Sequence, residues 1–140
     1  MNIEISPYLD FDGQCEAAFK FYQQCLGGTD LSIHKYAGSP MANQVPPEWQ
    51  DKVMHATLVI GKTAIMGSDH PPSSKAEAPK GFSLSIAVDK PEDADRVFSA
   101  LAKGGTIQLP IQQTFWSARF GMLVDQFGIP WMVNCQVSPA

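Results

Sequence analysis

Whatever acid–base, metal or nucleophilic chemistry this chain performs must come from three histidines, three cysteines and fourteen carboxylates. His34, His55 and His70 share no spacing known for metal ligands. His55 is the most informative of them. It opens an alternating run that puts it on the same side as Thr57, where Asp10 could come within reach. An imidazole titrates near about 6.5, so it could move a proton at neutral pH; hydrogen bonding in a pocket and a purely structural role explain it as well. Cys15, Cys25 and Cys135 are an odd count without metal-like spacing, which suits buried free thiols in a reducing compartment. No residue reads as an activated thiolate. Asp10 has no obvious acidic partner, so a catalytic carboxylate pair is not indicated and no catalytic residue is assigned. Trp116 ends the stretch Gln112-Gln-Thr-Phe-Trp116, where its ring could stack on a ligand or seal a subunit interface.

The elements that must position these residues occur twice. Shifting the chain by 77 positions aligns Ser6 with Ser83, Asp12 with Asp89, Ala17 with Ala94, Phe21 with Phe98, and Gly27-Gly-Thr29 with Gly104-Gly-Thr106. Near the ends of the two copies the shift becomes 66, where Ile65-Met66 matches Trp131-Met132. The longer loop of the first copy, from Gly38 to Lys52 with Pro40, Pro46 and Pro47, absorbs the difference. We therefore expect one domain over 1–140 with units 1–69 and 81–140. A Pro/Ser-rich linker, 70–80, joins them. Each unit reads strand, helix, strand, strand, strand. In the first strand Leu9 and Phe11 share one face, with Ser6, Tyr8 and Asp10 on the other. Asp12 and Asp89 stand where N-cap carboxylates are expected, and the Gly-Gly pairs where the helices end. The later strands are expected near 29–36, 53–60, 62–68, 106–114, 117–125 and 130–136.

A sheet covered by a helix on one face needs cover on the other. Two units solve this by pairing their open faces into a curved, barrel-like trough, so the predicted class is α+β. Alternation assigns to that trough Ser6, Tyr8, Asp10, His55, Thr57, Ala64, Met66, Ser68, Ser83, Ser85, Met132 and Asn134. This is a mixed polar and apolar lining suited to a small-molecule ligand. Tyr8, Asp10, His55, Met66, Ser83, Ser85, Trp116, Met132 and Asn134 are the expected ligand contacts. Helix 1 is apolar over a wide arc (Cys15, Ala17, Ala18, Phe19, Phe21, Tyr22, Cys25 and Leu26), which suggests contact with a second subunit and a homodimer. The composition excludes other classes. Hydrophobic residues make up 44% and charged ones 17%, too apolar for disorder. Net charge is −4 with two arginines, Arg96 and Arg119, so there is no basic stripe for nucleic acid. No apolar run approaches the about 20 residues needed to span a membrane. The first residues lack a signal-peptide pattern, and a cytoplasmic protein is expected.

The paired strand–helix–strand–strand–strand units resemble the vicinal oxygen chelate superfamily of glyoxalase, bleomycin-resistance and dioxygenase proteins. The stretches Pro7-Tyr-Leu-Asp-Phe-Asp-Gly-Gln-Cys15, His55-Ala56, Thr114-Phe-Trp116 and Asp125-Gln-Phe-Gly-Ile-Pro-Trp-Met-Val-Asn134 are closer to its PhnB-like branch, also labelled 3-demethylubiquinone-9 3-methyltransferase-like. The resemblance implies that fold over the whole chain. In metal-dependent members each unit supplies one ligand from its first strand and one from its last. Carried over by register, those positions fall on Ser6 and Ser83, and on or beside Met66 and Met132. Hydroxyls and thioethers are poor ligands for the divalent ions concerned, so neither metal nor cofactor is expected. A metal-independent binding protein is the leading expectation. The alternative is a metal-dependent lyase, isomerase or dioxygenase acting on an oxygen-chelating substrate through unmatched residues, His55 among them.

Overall fold

A computed structural model of the chain describes residues 1–71 and 78–136. It divides into two compact units, Met1–Ala76 and Glu77–Ala140. The first unit runs β1 (Tyr8–Phe11), α1 (Cys15–Leu26), β2 (Asp30–Lys35), β3 (Val53–Ile60) and β4 (Thr63–Asp69). The second repeats the order as β5 (Leu84–Val88), α2 (Pro91–Ala102), β6 (Thr106–Gln112), β7 (Ser117–Val124) and β8 (Pro130–Gln136). Each unit has a four-stranded mixed sheet, ordered β1-β4-β3-β2 in one and β5-β8-β7-β6 in the other. The first strand lies parallel to the last, and the remaining neighbours are antiparallel. The fold is thus α+β, two helices and eight strands among the described residues. Tyr8 lies opposite Met66, and Ser85 opposite Met132. The sequence shifts of 77 and 66 therefore meet at equivalent cross-strand pairs. The expected linker 70–80 falls partly outside the described residues, which omit 72–77.

Strand alternation and helix periodicity meet in the core of each unit. Leu9 and Phe11 are buried on the face that α1 covers, together with Cys15, Ala18, Phe19, Tyr22 and Cys25 of the helix. The Phe19 ring stands edge-on to Phe11 and Tyr22, with centroids 6.3 and 6.0 Å away. Burying one such side chain contributes about 1.5–3 kcal/mol. Gly67 of β4 makes the close approach possible, because a Cβ there would lie 2.8 Å from both Phe19 Cε1 and the Leu9 carbonyl oxygen. In α2 the buried stripe is Ala94, Val97, Phe98 and Leu101, the single stripe its sequence displays. The apolar arc of α1 is covered unevenly: Ala17 is exposed and Phe21 and Leu26 are half-buried.

Both expected N-cap carboxylates are corrected. The N-cap of α1 is Gln14, with no side-chain cap bond. Gly13 turns the chain at φ 121° after the exposed Asp12, so the helix starts beyond that side chain's reach. The carboxylate at this helix end comes from Asp69 instead, whose Oδ1 accepts from the Gly13 and Cys15 N–H groups, both at 2.9 Å. In α2 the N-cap is Lys90, whose ammonium has no acceptor to offer the helix N–H groups, and Pro91 occupies the first helical position. Glu92 and Asp93 supply negative charge to that first turn.

Candidate functional site

On the uncovered face of the first sheet, residue types and register combine into one polar patch. Tyr8 and Asp10 point away from α1 because Leu9 and Phe11 point toward it. Across the sheet, Tyr8, Met66, Thr57 and Ser32 form one cross-strand row. The next row begins with the Asp10–Ser68 pair on β1 and β4, and on β3 and β2 it carries the His55–His34 pair. Of the ligand contacts expected from sequence, Tyr8, Asp10, His55 and Met66 share this face.

Hydrogen bonds tie the patch into two histidine-centred groups. His55 Nδ1 lies 3.0 Å from the Tyr8 hydroxyl, and its Nε2 lies 3.1 Å from Thr57 Oγ1. The Tyr8 and His55 rings sit 5.7 Å apart, tilted by 33°. A neutral imidazole has one donor and one acceptor nitrogen, and each can meet a hydroxyl without paying for an unmatched group. The second group joins His70 Nε2 to Asp10 Oδ1 and to Ser68 Oγ, both at 3.0 Å. A single nitrogen serves both oxygens here, so no proton relay runs from serine through imidazole to carboxylate. Asp10, expected within reach of His55, instead pairs with His70, while Tyr8 bonds to His55. His70 opens the expected linker, immediately before Pro71 and Pro72. Its N–H in fact donates to the Phe11 carbonyl at 2.7 Å, which fixes it beside the end of β4.

The face of the second sheet that points away from α2 is more apolar. Ser85, Met132 and Met122 form one row, and Ala87, Asn134 and Phe120 the next. Gly121 between Met122 and Phe120 faces α2, where a Cβ would lie 2.6 Å from Phe98 Cε2. Trp116 stands before β7 with its ring 5.7 Å from that of Phe120. Thus Ser85, Met132, Asn134 and Trp116 belong to this face or its edge, while the half-buried Ser83 precedes β5. Phe120 and Met122 were absent from the expected lining, although alternation about Gly121 signals them.

The chemistry of the donors bears on the metal centre that the resemblance implies. Met66 and Met132 lie within the last strands of their units, and Ser6 and Ser83 precede the first strands. Among the described residues, no group of three or more His, Cys, Asp or Glu side chains could hold a metal ion. These donors do not fit the implied centre, and no catalytic step is derived through one. The thiols are equally unsuited to nucleophilic work. All three cysteines are buried, and burial, with the negative charges of Asp69 and Glu16 adding to it, pushes Cys15 up to about 12.

The model of the family described as 3-demethylubiquinone-9 3-methyltransferase matches residues 3–134. The chain is 37% identical over 138 residues to protein YjdN of Escherichia coli, covering 93% of each. Its fold matches the crystal structure of protein PA1353 from Pseudomonas aeruginosa with TM-score 0.87 and 48% identity, covering 96% of this chain and 98% of that one. A putative 3-demethylubiquinone-9 3-methyltransferase, PhnB protein, from Bacillus cereus matches with TM-score 0.75 and 26% identity, covering 95% and 99%. More distant structures of glyoxalase/bleomycin resistance/dioxygenase proteins, both 19% identical with TM-scores of 0.61 and 0.57, share the fold.

Proposed function

The chain belongs to the 3-demethylubiquinone-9 3-methyltransferase family, PhnB-like, within the glyoxalase/bleomycin resistance/dioxygenase superfamily, and from that premise we propose that it binds a small molecule without the superfamily's metal centre. The observation that carries this reading is the pair of histidine groups on the uncovered face of the first sheet. Strands hold Tyr8, Asp10, His55 and Thr57 at fixed spacing, and Ser68 beneath them is buried. Donors and acceptors so arranged are organised before any ligand arrives, which lowers the entropic cost of binding. Met66 supplies an adaptable apolar contact in the same patch. In the second unit, taken by itself, Ser83, Ser85, Trp116, Met132 and Asn134 are the ligand contacts of this reading. We place the protein in the cytoplasm as a homodimer, with residues 1–140 as one domain of units 1–69 and 81–140. No helix among the described residues is long and apolar enough to cross a membrane.

The family description carries no methyltransferase chemistry to these residues. Both Gly-Gly pairs follow helices, and neither sheet is the doubly wound parallel kind that presents a glycine-rich turn to a nucleotide-like cofactor. Protein purified without added metal is expected to hold far less than one equivalent of nickel, zinc, manganese or iron by elemental analysis. Its melting temperature should not move on treatment with EDTA. One bound equivalent that disappears in His55→Ala would overturn the metal-free reading in favour of a metal-dependent lyase, isomerase or dioxygenase.

A further inference from the structure

Between α2 and β6 the second unit leaves a cleft of about 490 Å³, on the side of the sheet that the helix covers. That volume falls within the about 300–1,000 Å³ typical of small-molecule sites. The helix lines it with Phe98, Ala102 and the C-cap Lys103, and the strand with Ile107, Pro110 and Ile111. The strand wall has a local cause. β6 is an edge strand, and its register with β7 breaks twice, between Ile107 and Leu109 and between Leu109 and Gln112. Pro110 stands in the second break, where its missing N–H costs no ladder bond. The cleft opens where the strand departs from regular pairing.

Its two ends differ. A Cβ on Gly121 would lie 2.6 Å from Phe98 Cε2 and 3.0 Å from Ile111 Cα, so Phe98 and Ile111 close one end together. Only Gly104-Gly-Thr106 separates Lys103 from Ile107, which places the lysine at the other end. Lys103 is the one charged residue of the lining, and no carboxylate borders the cleft although the chain carries a net charge of −4. Among the described residues its ammonium makes no ion pair. The end of the helix does not depend on it either. The Ala100 and Ala102 carbonyls accept from the Lys103 and Gly105 N–H groups, at 3.4 and 2.9 Å. Ile107 is half exposed, so apolar surface beside the lysine is left to bury.

We propose that this cleft binds a small amphipathic anion, an unbranched hydrocarbon chain that ends in a carboxylate. The carboxylate pairs with Lys103, and the chain lies along Ile107 and Pro110 toward Phe98 and Ile111. Four strand steps from Ile107 to Ile111 span at most about 13 Å, longer than one aromatic ring and suited to an extended chain of about eight carbons. The cleft lies across the second sheet from the face described above, so the inference goes beyond that reading and is tested apart from it.

Octanoate, octanamide and acetate test it, each titrated into 15N-labelled protein, with octanoate kept below its micelle-forming concentration. Octanoate should saturate one site and shift the backbone amides of Ser99, Lys103, Ile107 and Ile111. Octanamide has the same length without the charge. It should shift the same amides and bind about threefold to fivefold more weakly, as expected of an ion pair in contact with solvent. Acetate, a carboxylate without the chain, should shift none of them. In Lys103→Gln the two long probes should bind alike, with the whole loss on octanoate. Ile107→Ser should weaken both by about fivefold, the share of one partly buried side chain. Both replaced side chains are exposed, so the fold should survive either change. Equal affinity of octanoate and octanamide for the parent protein overturns the anion site. Shifts confined to residues around Tyr8 and His55, or around Trp116 and Met132, overturn the cleft while supporting the ligand faces. No shift with any probe overturns the inference and leaves the reading of those faces as it stood.

Discussion

Asp69→Ala is expected to lower stability by about 3–5 kcal/mol, because it leaves three backbone N–H groups unpaired at about 1–3 kcal/mol for each buried one. Asp69 is 1% exposed, and its two oxygens collect three backbone donors from separate places. Oδ1 accepts from Gly13 and Cys15, and Oδ2 accepts from Val53 at 2.9 Å. The carboxylate therefore pins the start of α1 and the start of β3 to the end of β4. Its own backbone oxygen is also used, accepting from the Tyr36 hydroxyl at 2.6 Å. Alanine leaves the three N–H groups without an acceptor, those of Cys15 and Val53 buried and that of Gly13 partly so. Asparagine is not expected to rescue the loss. Its oxygen can keep the pair on Gly13 and Cys15, but its amino group then faces the Val53 N–H, donor against donor. Thermal unfolding should show a fall of roughly 10–20 °C for Asp69→Ala, and most of that for Asp69→Asn. A fall of only a degree or two would show that the carboxylate is not the tie between these elements.

The second large effect belongs to the repeated Gly-Gly-Thr. The two glycines of each copy do different work. Gly27 and Gly104 take left-handed backbone at φ 73° and 76°, which ends or follows the helix at little steric cost. Gly28 and Gly105 have ordinary backbone but pass close to a strand. A Cβ on Gly105 would run into the Val124 carbonyl oxygen and lie 2.9 Å from both Asp125 Cα and C. On Gly28 the nearest atom is Leu58 Cδ1 at 2.6 Å, the far end of a side chain that can turn. Gly105→Ala must move main chain at the end of β7, so it should cost about 3 kcal/mol, at the upper end of overpacking effects. Gly28→Ala should cost about 1 kcal/mol. Urea unfolding of the two variants checks the order. Equal costs would mean that backbone contact at Gly105 is no more rigid than the Leu58 side chain.

The sequence carried the architecture because a duplicated pattern checks itself. Alternation at Tyr8–Phe11, the stripe on α2 and the paired glycines each occur where their counterpart predicts. The N-caps went wrong for a physical reason: the carboxylate that serves α1 is Asp69, 54 residues from the Cys15 N–H it accepts. Local spacing near Asp12 cannot announce a partner so distant. Asp125 is a similar case. It was quoted as part of a motif, and its oxygens turn out to gather the Phe127 and Ile129 N–H groups and the Trp131 ring N–H. For the site, strand period was enough to place Tyr8, Asp10, His55 and Met66 on one face. It could not choose between Tyr8 and Asp10 as the partner of His55, since that depends on side-chain rotamers. His70 was missed because prolines beside it read as linker, while its hold on the Phe11 carbonyl is a tertiary contact.

The central claim is that the uncovered sheet faces hold a small molecule without help from a metal. Its most direct test is a fragment titration of EDTA-treated, 15N-labelled protein followed by amide and side-chain shifts. The account predicts that binding fragments shift residues around Tyr8, His55 and Met66, or around Trp116, Met132 and Asn134. It further predicts that Tyr8→Phe and His55→Ala each weaken fragments bound at the first group by about fivefold to tenfold, the value of one lost hydrogen bond. Fragments that bind only after a divalent ion is restored, or a fragment set in which none shifts either face, would contradict it.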